Sequence, residues 1–123
     1  MPEEGRDFGT QPLDRILDGW KLTNHQVVAI SPEQLTHKQV QRARAGRKLT
    51  LRMKQKLARS LNFAVWSRLN NGERESYQEY FPKHLFSYDK GFQAKAGDPN
   101  RELYDDLGVR KVRPDFAKEL GGE

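Results

Sequence analysis

The chain of 123 residues contains no cysteine, which excludes a disulfide framework, a thiol nucleophile and a thiolate metal site. It has no apolar run approaching the roughly 18 residues that a membrane-spanning helix needs. Its first residues also lack the basic-then-apolar order of a signal peptide. These absences predict a soluble cytoplasmic protein with no membrane partner, and the length predicts one domain.

Acidic side chains are missing from residues 34–71. In the longer block 21–71, eleven lysine and arginine side chains stand against one acid, Glu33, while the blocks on either side are slightly acidic. A block of one charge repels itself, so its usual partner is a polyanion. Nucleic acid is favoured over an anionic membrane surface because the apolar residues of this block are spaced to form a core.

Catalytic and metal-binding patterns are missing as well. The sequence shows no nucleophile–histidine–carboxylate arrangement and no glycine-rich phosphate loop. Its three histidines, His25, His37 and His84, do not have the spacing of metal ligands. We therefore predict a protein that is not an enzyme and that has neither a cofactor nor a bound metal.

Helix-capping signals are the clearest local patterns present. Pro12 opens a short helical pattern. Thr23 and Gln26 form a capping box, which predicts a helix from Asn24 to about Ile30. Ser31 and Gln34 match the pattern of a second capping box immediately afterwards.

The second capping signal predicts a helix from Pro32 to about Ala45, with Gly46 as its C-terminal stop. Only one or two residues would separate this helix from the one before it. Such a short connection is typical of a tight helix–turn–helix.

The second half of the chain begins with a helix capped by Thr50, which should end either near Asn62 or at the turn signal of residues 70–72. The position of Trp66, opposite the apolar stripe, favours the earlier end. Residues 73–88 are rich in aromatics and predict two short helical turns that fold back on the domain or form a dimer contact.

The predicted organisation is a flexible leader (1–11), an all-α domain of about five helices with an aromatic C-terminal extension (12–88), and a largely disordered tail (89–123). Glycines and scattered charges support the prediction for the tail. Leu103, Tyr104 and Leu107 could form one short helix there. On this interpretation, truncation after Lys90 would leave the domain nearly intact.

The order and spacing of several residues resemble the Cro/C1-like (XRE-type) helix-turn-helix family over roughly residues 13–62. The matching residues are Leu22, Thr23, Val27, Val28, Val40, Ala43, Gly46, Thr50, Leu57, Ala58 and Leu61. The chain departs from the family where Arg44 and Ala45 replace an acidic residue before the glycine. The resemblance implies a compact five-helix bundle that reads the DNA major groove, usually as a dimer.

The outer face of the helix predicted over 32–45 is polar and free of acid. Glutamine can pair with two base-edge atoms of adenine, and lysine or arginine with two of guanine. The predicted base-reading residues are Gln34, His37, Lys38 and Gln41. The predicted phosphate-binding residues are Asn24, Arg42, Arg44, Arg47, Lys48, Arg52 and Lys54.

Together these patterns predict a nucleoid-associated transcriptional regulator that binds double-stranded DNA, with a homodimer through residues 77–88. Two alternatives stay open. One is an RNA- or ribosome-binding protein, because an acid-free helix also suits an A-form backbone. The other is an antitoxin or partner-binding adaptor on the same fold, because a fold does not determine a function.

Overall fold

The computed structural model describes residues 8–104, and this part of the chain is all-α, with no β-strand. It contains the α-helices α1 (Pro12–Gly19), α2 (Asn24–Ile30), α3 (His37–Ala45), α4 (Leu51–Ser67), α5 (Asn71–Ser76) and α6 (Pro82–Leu85). A short 3₁₀ helix follows at Ala94–Ala96, and residues 101–104 are again α-helical. The prediction of a compact all-α fold is confirmed.

Two helices, α2 and α4, begin at the side-chain caps that the sequence indicated. The Thr23 hydroxyl accepts a hydrogen bond from the Gln26 amide (3.1 Å), and the Gln26 side chain accepts one from the Thr23 amide (2.9 Å). The Thr50 hydroxyl accepts a hydrogen bond from the Met53 amide at the start of α4. Each such cap stabilises its helix by about 1 kcal/mol.

The predicted start of α3 is wrong. The helix begins at His37 and not at Pro32, because Thr36 and Gln39 form the capping box that is used. The Ser31 hydroxyl instead contacts the Ser60 hydroxyl of α4 at 2.7 Å and accepts a hydrogen bond from the Glu33 amide. Residues 31–36 therefore form a loop between α2 and α3.

The ends of α3 and α4 are governed by different features. Gly46 ends α3 with a left-handed backbone (φ 108°), as predicted. Helix α4 continues to Ser67, so the expectation that it breaks before Trp66 is wrong. Its last turns stay helical because Ala64 and Val65 are buried in the core, while Trp66 lies on the outer side.

The core lies between α1, α2, α3, α4 and α6. Its largest fully buried side chains are Leu13, Leu17, Trp20, Leu57, Leu61, Tyr80, Leu85 and Phe86. The indole Nε1 of Trp20 donates a hydrogen bond to the Tyr80 hydroxyl (3.0 Å). The aromatic segment therefore folds back onto the domain.

Burial of the aromatic segment limits its use as a dimer contact. Tyr80, Leu85 and Phe86 are no more than 1% exposed, so they cannot face a second copy. The Phe81 side chain is 48% exposed. A dimer contact through Phe81 therefore stays a prediction.

Some residues of the segment 89–104 contact the domain, although residues 93–97 are exposed, whereas the sequence predicted a largely disordered tail from residue 89. Asn100 is 1% exposed, and its side chain bonds the amide and the carbonyl of Gln78, each at 2.7 Å. The Tyr104 ring lies edge-on to Trp20 at 5.1 Å between centroids. The predicted tail from residue 105 onward, including Leu107, lies outside the described residues.

Residues 8–11, expected in the flexible leader, pack on the end of α3. The Phe8 amide donates to the Gly46 carbonyl (2.8 Å), and its ring stacks on Tyr88. Gln11 is fully buried, and its side-chain oxygen accepts hydrogen bonds from the amide and hydroxyl of Ser87. The remainder of the predicted leader, residues 1–7, lies outside the described part.

Candidate nucleic-acid interface

Helix α3 presents four polar side chains on its exposed side. Its inward residues are Val40 and Ala43, both buried in the core. His37, Lys38, Gln41 and Arg42 are exposed, and their spacing of one, three and four residues places them on one side of the helix. The structure thus brings together three of the four predicted base-reading residues, with Arg42 beside them.

Gln34, the fourth predicted base-reading residue, is not on α3. It lies exposed in the loop 31–36, two residues before the Thr36 cap. Its backbone carbonyl accepts a hydrogen bond from the Lys56 ammonium at 2.7 Å, which ties this loop to α4. The assignment of Gln34 to the face of the helix depended on the incorrect helix start.

Basic residues continue beyond the C-terminal end of α3. Arg47 is half-buried, and Lys48 and Arg52 are exposed in the connection to α4 and in its first turn. Among residues 8–104, no carboxylate forms an ion pair with these three or with Lys38 and Arg42. These cations are therefore free of acidic partners within the described residues.

Arg44 is engaged inside the protein. Its Nε donates to Asp14 Oδ1 (2.6 Å), its Nη2 to Asp18 Oδ1 (2.9 Å) and its Nη1 to Asn24 Oδ1 (2.7 Å). The sequence predicted Arg44 and Asn24 as phosphate contacts, but their polar groups are used to join α3 to α1 and α2. We leave both out of the candidate interface.

Lys54 is also engaged internally. Its ammonium forms an ion pair with Asp89, and both side chains are about nine-tenths buried. The same ammonium lies 5.3 Å from the centre of the Tyr88 ring. Lys54 was predicted to bind phosphate, and its buried pairing leaves it unsuited to that contact.

The one acid of the basic block, Glu33, is paired. Arg59 of α4 donates from Nε to Glu33 Oε2 (2.5 Å) and from Nη2 to Oε1 (2.8 Å). These hydrogen bonds hold the pKa of the Glu33 carboxyl below its ordinary value. The negative charge of Glu33 is consequently neutralised by Arg59, so its repulsion of an anionic partner is small.

The backbone between α3 and α4 is fixed by Tyr88. Its hydroxyl donates to the Arg47 carbonyl and accepts from the Leu49 amide, each at 3.1 Å. Burial raises the pKa of Tyr88 to about 12, still further above neutral pH than that of an ordinary tyrosine, so the hydroxyl is a proton donor at neutral pH with or without the shift. Sequence reasoning missed this role because Tyr88 is about forty residues from the backbone that it holds.

The first turns of α3 and α4 contain no acidic residue, whereas α1 has Asp14 and α5 has Glu73 there. The N-terminal end of a helix carries a partial positive charge from its unpaired amides. Without a carboxylate to offset it, this charge adds to that of the lysines and arginines. The surface as a whole favours an anion.

Two histidines that the sequence separates by twelve residues meet next to this surface. His25 Nδ1 of α2 lies 3.4 Å from His37 Nε2 of α3, and the ring centres are 5.2 Å apart. Both side chains are exposed. No group of three or more histidine, aspartate or glutamate side chains in residues 8–104 is arranged to hold a metal ion.

Comparison with known proteins adds no relative: no family model, no curated protein and no solved structure matches the chain. Within residues 8–104, no helix is both long enough and apolar enough to cross a membrane.

Proposed function

We propose that the protein binds double-stranded DNA in a sequence-dependent way, with α2 and α3 acting as a helix-turn-helix of the Cro/C1-like type and α3 entering the major groove. The proposed role is transcriptional regulation at the nucleoid. The observation that carries the proposal is the exposed side of α3, where His37, Lys38, Gln41 and Arg42 lie together without an acidic neighbour on the helix.

The dimensions of α3 suit this role. Its nine residues span about 14 Å, and a helix with its side chains fits the roughly 12 Å width of the major groove. Gln41 could donate to and accept from adenine, and Lys38 or Arg42 could donate to the two acceptors of guanine. The tie from Arg44 to α1 and α2 would hold this face in a fixed orientation, which base readout requires.

The basic residues after α3 are suited to the DNA backbone. Arg47, Lys48 and Arg52 follow the end of α3 and would meet phosphates beside the groove that the helix occupies. Phosphate contacts fix the register of a protein on DNA but carry no sequence information. We therefore divide the surface into a base-reading part on α3 and a phosphate-binding part between α3 and α4.

Binding should depend steeply on salt. Three to five of the cations that have no acidic partner within residues 8–104 would neutralise phosphates, so log K should fall by roughly 3–4.5 for each tenfold rise in salt. Fluorescence anisotropy on a labelled duplex, between low and physiological ionic strength, measures this slope. An affinity that does not change with salt would contradict the electrostatic part of the proposal.

Two substitutions separate base reading from phosphate binding. Gln41→Ala should cost about 1–3 kcal/mol on the preferred site and little on random DNA, because it removes a base contact. Arg47→Ala should weaken binding to both and reduce the salt slope by about 1. Lys95→Ala, in the exposed 3₁₀ helix, is the matched control and should bind like the unaltered protein.

The preferred site is first obtained by selection from a random duplex library, and binding to duplex DNA, duplex RNA and single strands is then compared. Preference for duplex RNA would favour the RNA-binding alternative. Equal behaviour of the Gln41 and Arg47 variants on selected and random DNA would contradict the proposed division of the surface.

A further inference from the structure

We infer that His25 and His37 form a binding site for a transition-metal ion that bridges α2 and α3. The inference depends on the geometry of the two rings and not on the proposed DNA binding. The chemical class is a divalent ion that imidazole binds well, namely Zn²⁺, Cu²⁺ or Ni²⁺.

The distance between the two ring nitrogens is the first argument. A zinc–imidazole bond is about 2.0–2.1 Å long, so two nitrogens on one tetrahedral ion lie about 3.3–3.4 Å apart. His25 Nδ1 and His37 Nε2 are 3.4 Å apart in the structure. The two nitrogens therefore already have the separation that a shared ion requires.

A hydrogen bond between the rings accounts for this contact less well. Nitrogen–acceptor hydrogen bonds are mostly 2.7–3.2 Å long, and the observed distance exceeds that range. Both rings are also exposed, so water could satisfy either nitrogen without the other ring. Burial does not force the two rings together, because both are exposed. A metal ion shared by the two nitrogens would account for the distance between them.

The backbone that carries the two rings is fixed on both sides. His25 follows the Thr23 cap of α2, and His37 follows the Thr36 cap of α3, so each ring lies in the first turn of a helix closed by a reciprocal capping box. Arg44 of α3 also donates to Asn24, the neighbour of His25. The two capping boxes and the hydrogen bond from Arg44 hold the segments that carry the rings, so little reorganisation is needed to bind an ion.

The two-histidine site would leave the remaining coordination positions of the ion to water. The described residues provide no third protein ligand. An exposed site of this kind should exchange its ion readily. It should discriminate between ions by their preference for imidazole nitrogen over oxygen ligands. Mg²⁺, which prefers oxygen ligands, should not bind, whereas Cu²⁺ should bind more tightly than Zn²⁺.

The test is isothermal titration calorimetry on the untagged chain of 123 residues, with ZnCl₂, CuCl₂, NiCl₂ and MgCl₂ as the probes. We expect one ion per chain for the first three and no binding of magnesium. His25→Ala and His37→Ala should each lower the affinity for zinc by about tenfold or more, because one ligand cannot bridge the helices. His84→Ala is the matched control, because His84 lies on α6 and bonds the Phe81 amide.

A second measurement shows whether the ion joins the two helices. Zinc should raise the Tm of the unaltered protein and of His84→Ala, but not that of either pair variant, while circular dichroism confirms that all four chains are folded. Zinc binding that is unchanged in both pair variants, or absent at millimolar zinc, would overturn the inference. Both readouts are made without DNA, so failure of the metal site and failure of the proposed function are separate results.

Discussion

Truncation after Lys90 should lower the Tm by about 12 °C or more. The truncated chain lacks Asp98, which accepts a hydrogen bond from the Tyr80 hydroxyl at 2.6 Å, and Asn100, which bonds both backbone groups of Gln78. It also lacks Tyr104, whose ring lies against Trp20. Leaving buried polar groups without partners costs about 1–3 kcal/mol each.

Loss of these contacts should total at least about 3 kcal/mol, and 1 kcal/mol corresponds to roughly 4–8 °C for a domain of this size. Differential scanning calorimetry gives the Tm. Truncation after Tyr104 is the control, because it keeps every described contact, and the difference between the two truncations isolates residues 91–104. Equal melting of the two chains would show that this segment does not stabilise the domain, as the sequence alone had suggested.

Gly46→Ala should destabilise the protein by about 2–4 kcal/mol. Gly46 has a φ of 108°, a backbone angle that residues with a Cβ rarely adopt. The backbone strain of an alanine at this position costs about 1–3 kcal/mol. An added Cβ would also lie 2.0 Å from the Gly9 carbonyl oxygen, so residues 8–10 would have to move. That movement would break the hydrogen bond from the Phe8 amide to the Gly46 carbonyl, worth about 0.5–1.5 kcal/mol.

Gly97→Ala is the matched control for this substitution. Gly97 also has a positive φ (67°), but nothing lies within 4 Å of the place where its Cβ would be. Its cost should therefore be the backbone strain alone, at about 1–3 kcal/mol, without the added loss of contacts expected at Gly46. Urea unfolding measures both free energies, and similar values for the two variants would contradict the importance of the contact between Gly46 and Gly9.

The two glycine variants should also differ in DNA binding. Gly46 immediately precedes Arg47, so a displaced backbone would move the proposed phosphate contacts, whereas Gly97 lies in a segment of the chain remote from them in sequence. Gly46→Ala should weaken binding to selected and random duplexes alike. Unchanged binding by a folded Gly46→Ala protein would show that the geometry after α3 is not important for the interface.

Local sequence signals determined much of the secondary structure. The capping box at Thr23 and the cap at Thr50 predicted the starts of α2 and α4, and Gly46 predicted the end of α3, because each signal acts within one helical turn. The start of α3 could not be obtained in this way. Ser31 and Thr36 are both good caps, and the choice between them depends on the contact of Ser31 with Ser60 and on burial of Leu35.

Charge patterning showed that the middle of the chain is basic, but only the tertiary structure decided which cations are available. Arg44 and Lys54 look like their neighbours in the sequence, yet they pair with Asp14 and Asp89 from outside the basic block. Such pairs form between residues thirty or more positions apart, so no local pattern reveals them.

Contacts between residues distant in the sequence also explain why local patterns revealed neither the histidine pair nor the packing of residues 98–104. His25 and His37 meet because α2 packs on α3, and their spacing in the sequence does not indicate it. Asp98 and Asn100 are polar and typical of loops, so composition predicted disorder. They pack because Tyr80 and the backbone of Gln78 supply hydrogen-bond partners, and these partners exist only once the chain has folded.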